Sequence, residues 1–130
     1  MRRVIPYNKV SYDYEKVLNE FVSALKNRLG ECLVMVYLTG SYARGDANDN
    51  SDLDVFCIFS TINQYVLETV GHCARNTSIP YDLLEINTQS LSVNEYKSKI
   101  FEDWSEYAVT ELNSVLLYGE QPIEVENINE

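Results

Sequence analysis

From Tyr14 to Leu29 the apolar side chains fall at Tyr14, Val17, Leu18, Phe21, Val22, Leu25 and Leu29. Spacings of three and four predict an amphipathic helix over 12–29, one face of which belongs to the core. Asp13 and Glu15 fall in its first turn and Lys26 and Arg28 in its last, matching the helix dipole. Gly30 is a natural C-terminal stop. The next apolar positions run without a break from Leu33 to Leu38, which predicts a strand of a sheet covered on both faces, or at least a central strand. Ser41 to Arg44 begins a short helix. Residues 46–50, rich in Asp and Asn, form a loop, and a second apolar run predicts a strand from Asp52 to Phe59.

Thr61-Ile62-Asn63-Gln64 has the form of a capping box. It predicts a helix to Arg75 with Tyr65, Val66, Val70 and Cys73 on one face, closed by a turn at Asn76, Thr77, Ser78 and Pro80. A third strand is expected over Tyr81-Asp82-Leu83-Leu84-Glu85-Ile86. Ser92-Val93-Asn94-Glu95 is a second capping box. It opens a helical region reaching Leu112, with a possible break between Glu102 and Ser105. Val115 to Tyr118 is a short apolar element, and an acidic tail follows from Gly119 to Glu130.

Too few residues separate the first two strands for a crossover helix with its loops. The expected fold is therefore α/β (α+β), a small mixed sheet of three to four strands with helices packed mainly on one face. The 130 residues are read as one domain, with a motif core at 33–86, C-terminal helices at 92–113 and the tail at 119–130.

A hydrophobic content of 45% and a charged content of 23% suit a globular chain. The net charge of −10 argues against a surface that tracks nucleic-acid phosphates. It leaves room for a nucleotide that arrives with Mg²⁺, since the metal brings the positive charge. Cys32, Cys57 and Cys73 are an odd set without a Cys-x-x-Cys pair and read as buried, reduced thiols of a cytoplasmic protein. Neither a signal peptide nor a membrane-spanning run is expected.

Chemistry concentrates between Leu38 and Phe56. In a strand, residues i and i+2 point to the same side, so Asp52 and Asp54 present two carboxylates on one face, about 7 Å apart along the backbone. Gly40 permits close backbone approach or an unusual φ. Ser41 offers a hydroxyl and a backbone N–H at a helix start, which suits phosphate. A metal site beside a phosphate site, on two neighbouring strands, is the apparatus of nucleotidyl transfer, in which positioning and charge neutralisation do most of the catalysis.

Gly40-Ser41, ten intervening residues, then Asp52-Leu53-Asp54 resembles the signature of the DNA polymerase β-like nucleotidyltransferase superfamily. Gly-Ser-Tyr-Ala-Arg-Gly followed by Ser-Asp-Leu-Asp is similar to its small branch, the minimal nucleotidyltransferases. Val115-Leu116-Leu117-Tyr118 is similar to the Leu-Leu-Tyr ending of such members. The resemblance implies the nucleotidyltransferase fold, transfer of an NMP unit (AMP from Mg-ATP) to a hydroxyl acceptor, and two Mg²⁺ ions. It assigns Gly40 and Ser41 to triphosphate binding, and Asp52, Asp54 and a third carboxylate to metal binding and catalysis.

Asp82 and Glu85 both lie in the apolar run from Ile79 to Ile86, where a bare carboxylate is costly without a partner. Three apart, they face opposite sides of a strand and cannot both be ligands. The order of the family motif favours Asp82. Arg44 is a candidate phosphate ligand, with a salt bridge to Asp46 or Asp49 as the alternative. Ser51 is read as a nucleotide-site residue that caps the loop or backs the aspartates. His72, the one histidine, is read as structural. The chain holds no P-loop, and its Asp46-x-Asn48-x-Asn50 run lacks the glycine and the final glutamate of an EF-hand. Larger relatives that modify antibiotics or tRNA carry an acceptor-binding domain for which no room is expected here. The resemblance thus suggests an acceptor on a partner protein, a HEPN-type RNase toxin adenylylated on a tyrosine. The alternatives are a catalytically silent antitoxin or nucleotide-sensing module, and a small-molecule nucleotidyltransferase.

Overall fold

A computed structural model of the chain describes residues 13–48, 50–81, 86–102 and 114–119. In order these form α1 (Tyr14–Leu29), a single 3-10 turn (Gly30–Cys32), β1 (Leu33–Thr39), α2 (Gly40–Arg44), β2 (Leu53–Phe59), α3 (Gln64–Ser78), β3 (Ile86–Ser92), α4 (Val93–Glu102) and β4 (Val115–Tyr118). The four strands make one mixed sheet in the order β3-β2-β1-β4. β1 runs antiparallel to both β2 and β4, whereas β2 and β3 are parallel and are joined through α3. The short β1–β2 connection therefore makes the antiparallel return that its length requires, and the mixed α/β sheet expected from the sequence is the one observed.

Both faces of β1 and β2 are covered, which explains their unbroken apolar runs. On one face Val36, Leu38, Leu53, Val55, Cys57 and Phe59 pack with α1 and α3 in the main core. On the other, Met35, Tyr37, Phe56 and Ile58 pack with Tyr96 of α4. Helices thus lie mainly on the α1/α3 side, and α4 covers the second side with an aromatic cluster. There the Tyr37 and Phe56 rings stack at 5.5 Å and Tyr96 meets Tyr37 edge-on at 6.5 Å.

α1 forms as its periodicity predicts. Asp13 is its N-cap rather than a first-turn residue, accepting a hydrogen bond from the Lys16 N–H at 3.2 Å, and Gly30 is its C-cap. The capping box at Ser92 also forms as expected. The Ser92 N–H donates to Glu95 Oε1 at 2.9 Å and the Glu95 N–H to Ser92 Oγ at 3.0 Å.

The box expected at Thr61 does not form. Asn63 is the N-cap of α3, accepting from the Val66 N–H at 2.9 Å, and Gln64 turns forward to Glu68 at 2.8 Å instead of reaching back to Thr61. Asn caps at least as well as Thr, so the nearer residue starts the helix. Tyr65 is consequently exposed, and Thr69 and Ala74 join Val66, Val70 and Cys73 on the buried face. α3 also runs past Arg75 to Ser78. Asn76 bonds back to the exposed His72 at 2.9 Å and Ser78 Oγ donates to the Arg75 carbonyl, so the polar residues read as a turn satisfy themselves on the helix.

The strand that follows α3 is Ile86–Ser92, and Asp82 to Glu85, on which the expected third strand mostly falls, lie outside the described residues. Among the described residues it is an edge strand paired with β2, and it keeps both faces partly exposed, so its sequence is polar where a central strand would be apolar. Cys57 and Cys73 are buried as expected, whereas Cys32 is only half-buried and donates to the Thr61 carbonyl. Burial pushes the Cys57 thiol up to about 12 and that of Cys73 upward too, the latter opposed by Arg28, which keeps both protonated near neutral pH. Residues 103–113 and 120–130, where the C-terminal helical break and the acidic tail were expected, lie outside the described residues. Among the described residues no helix is long and apolar enough to cross a membrane.

Tyr42 and Ala43 tie the short α2 to this core. Tyr42 is buried, with its ring 5.0 Å from that of Tyr14 at the start of α1. Replacing Tyr42 by Ala removes the anchor and leaves a cavity, and about 3 kcal/mol or more of stability is expected to be lost. Urea unfolding of the two proteins measures this directly; a loss below about 1 kcal/mol would show that α2 is held by other means.

Candidate active site

Register builds the site. At the end of the β1–β2 ladder Thr39 stands opposite Asp54, and the Thr39 hydroxyl reaches the Asp54 carbonyl at 3.4 Å. Gly40 follows at once and starts α2. Its φ is +75°, a region that L side chains seldom enter. A Cβ at this position would collide with Asp54 Oδ2 and lie 3.2 Å from the Asp54 Cβ and Cγ. Only glycine lets the backbone of the turn lie directly on this carboxylate. Ser41, half-buried, is in the first turn of α2, and its carbonyl accepts the N–H groups of Gly45 and Asp46, both at 3.0 Å. Gly45 ends the helix in the left-handed region.

The loop from Asp46 to Ser51 then brings the chain back to β2. The Asn48 side chain accepts from the Asn50 N–H at 2.8 Å, Ser51 Oγ accepts from the Asn48 N–H at 3.0 Å, and the Ser51 N–H donates to the Asn48 carbonyl at 3.0 Å. Ser51 therefore closes the loop, leaving Asp52 and Asp54 at the entrance to β2. Both are partly exposed. Asp54 shares the α4 face of the sheet with Phe56 and Ile58, so the aromatic cluster continues along the strand from the site.

Parallel pairing puts Asn87 of β3 opposite Asp54. Its side-chain amide donates to Asp52 Oδ2 at 3.0 Å and to Asp54 Oδ1 at 3.3 Å. One nitrogen thus touches both carboxylates, so the two reach a common point. Sequence reasoning missed Asn87. Asn is disfavoured in strands, which is a weak hint of a special bond, but only the register names its partners.

The structure accordingly brings Gly40, Asp52 and Asp54 together and adds Asn87. Arg44 pairs instead with Asp46, its Nε 3.5 Å from Asp46 Oδ2 in an exposed ion pair. Asp82 and Glu85 lie outside the described residues, as does Asp49. Among the described residues no three His, Cys, Asp or Glu side chains gather into a metal-binding group.

Comparison with known proteins agrees with this geometry. A family model described as a nucleotidyltransferase domain matches residues 18–107. Over 54 residues the chain is 39% identical to a Methanocaldococcus jannaschii protein named as a protein adenylyltransferase; the match takes in 42% of this chain and 54% of that protein, so the chain spans about half the length of this relative. The fold is similar to that of a spectinomycin adenyltransferase from Enterococcus faecialis, solved with ATP and spectinomycin, at a TM-score of 0.63 and 17% identity over 87% of this chain and 58% of the other. It is also similar to a chain from a toxin-antitoxin structure with AMP-PNP, at a TM-score of 0.50 and 18% identity over 79% and 73% of the two chains. A family match that runs from within α1 to beyond α4 leaves one assignment: the chain belongs to the nucleotidyltransferase domain family.

Proposed function

We propose that this chain transfers an NMP unit, AMP from Mg-ATP, to a hydroxyl acceptor carried by a partner protein. The observation that carries the reading is the convergence of Asp52 and Asp54 on one point beneath a glycine turn that a single Cβ would fill. The donor set suits Mg²⁺, a hard cation that takes carboxylate oxygens, phosphate oxygens and water. Asp52 and Asp54 would hold it, with a third carboxylate from Asp82 by family resemblance. Once bound, Mg²⁺ supplies charge neutralisation for the α-phosphate and the departing diphosphate.

The remaining steps fall to the chain's own residues. Gly40 and Ser41 present backbone N–H groups and a hydroxyl to the triphosphate, close against Asp54. The acceptor hydroxyl oxygen bonds to the α-phosphorus as the bond from that phosphorus to the bridging oxygen breaks. Pyrophosphate leaves, and the hydroxyl proton passes to a base, the role the resemblance gives Asp82. The Arg44–Asp46 pair is exposed, and such pairs contribute about 0–1 kcal/mol, so Arg44 can exchange Asp46 for phosphate at small cost. A protein acceptor is supported by the protein adenylyltransferase name of the jannaschii relative, and the HEPN-type toxin class is what the sequence resemblance implies. The net charge of −10 suits a basic partner.

ATP labelled on its α-phosphate, added with Mg²⁺ to a lysate of the source cells, is expected to label a discrete protein band. Asp52→Asn and Asp54→Asn are each expected to reduce labelling about a hundredfold or more while leaving the fold intact by circular dichroism. Labelling of a small molecule alone would move the acceptor to that class. Full neutralisation of a partner by both variants would instead mark a silent binding module.

Gly40→Ala forces a Cβ onto Asp54 at positive φ, a conformation that costs roughly 1–2 kcal/mol before any collision. It is expected to weaken ATP binding at least tenfold in calorimetric titration. Wild-type affinity in this variant would separate the turn from the nucleotide site.

A further inference from the structure

We infer that Asn87 is a neutral arm of the cation site, able to bridge the two carboxylates through its amide N–H groups and to turn its Oδ1 onto a cation that they hold. The inference rests on the proposed reading of Asp52 and Asp54 as the cation-binding pair and goes beyond it by naming a neutral ligand on another strand.

Geometry points to this first. Asn87 Nδ2 is 3.0 Å from Asp52 Oδ2 and 3.3 Å from Asp54 Oδ1. Neighbouring ligand oxygens on an octahedral Mg²⁺, with bonds of roughly 2.1 Å, lie about 3 Å apart. The tip of the Asn87 side chain therefore stands off each carboxylate oxygen by the spacing that ligands sharing one ion require. Lys and Arg can also bridge a carboxylate pair, but neither could then serve as a ligand.

Chemistry decides which end of the amide faces the pair. Facing two carboxylates, the amide must present its N–H groups, because its oxygen would be repelled by both. Facing a cation, the same amide must present its oxygen. Half a turn about the last side-chain torsion exchanges the two atoms in nearly the same place, and that torsion is broad and two-fold for Asn. A carboxylate at position 87 could not make this exchange, because it has no N–H to offer the pair. Backbone pairing holds the side chain where it is needed. β3 runs parallel to β2 with Asn87 in register with Asp54, and this ladder continues to Ser92 opposite Phe59.

The test is Mn²⁺ titration of the intact chain, read as loss of the free Mn²⁺ signal in electron paramagnetic resonance, so that it does not depend on any transfer reaction. Wild type is expected to bind Mn²⁺, and the Asp52→Asn/Asp54→Asn double variant is expected not to. Asn87→Leu keeps the branched shape and removes the oxygen; it is expected to bind about tenfold more weakly. Asn87→Asp is expected to bind at least about fivefold more tightly, with the gain lost when Asp54→Asn is added. Equal affinity in wild type and Asn87→Leu would overturn the inference and leave the carboxylate reading standing. If Asn87→Leu does not fold, Asn87→Asp decides the matter: no gain in affinity, or a gain that persists unchanged without Asp54, overturns the inference equally. Absence of Mn²⁺ binding by wild type would instead remove the carboxylate reading and the inference with it.

Discussion

The site depends on one close approach, the backbone of Gly40 against the carboxylate of Asp54. It is set by the last rung of the β1–β2 ladder, Thr39 opposite Asp54, so a slip of one residue would turn Asp54 to the other face and abolish it. Little of the surrounding structure is free to vary once that rung is in place. The buried ring of Tyr42 fixes α2 to the core, and the Asn48–Ser51 bonds bring the chain back at the right height for Asp52. Both strands are buried on two faces along most of their length, which makes their register costly to change. A precise polar site is thus held by apolar packing on either side of the sheet.

Electrostatics at this sheet end works against the fold and in favour of a cation. Two carboxylates are bridged by a single amide nitrogen, so their bonded oxygens are separated by no more than the 3.0 and 3.3 Å of the two bonds laid end to end. Like charges so placed repel, and the repulsion is moderated by water, because both residues are partly exposed, and by the Asn87 dipole. An anionic triphosphate arriving alone would meet the same repulsion. Under the proposed function it arrives with a divalent cation, which would bring the charge that the pair lacks. The chain's overall acidity is compatible with this arrangement for the same reason.

How much of this was legible in the sequence followed from how each element is stabilised. α1, β1 and β2 owe their form to burial, and burial leaves a period that can be read directly. The glycine turn and the aspartate pair were legible as a motif because each residue type answers a distinct physical demand. β3 was not legible. Its stability comes from pairing along one side of β2, while Thr88, Gln89 and Ser90 make it look like a loop beside the apolar run at 79–86. The start of α3 was misread because Thr61 and Asn63 are both competent caps and local sequence does not choose between them. Asn87 could be found only through register, which no local pattern encodes.

Places where local rules fail are informative when they coincide. Gly40 adopts a positive φ in the residue after a strand, two acidic residues open an otherwise apolar strand, and Asn87 interrupts the pairing edge with a poor strand former. Each is unfavourable where it stands, and any one alone would be unremarkable. Three elements distant in sequence nevertheless bring these exceptions to a single point, where each relieves another: glycine makes room for Asp54, and the Asn87 amide satisfies both carboxylates. Apolar packing alone gives no reason for the polar residues at this end of the sheet. The proposed cation and phosphate, held side by side, would give a reason for every one of them.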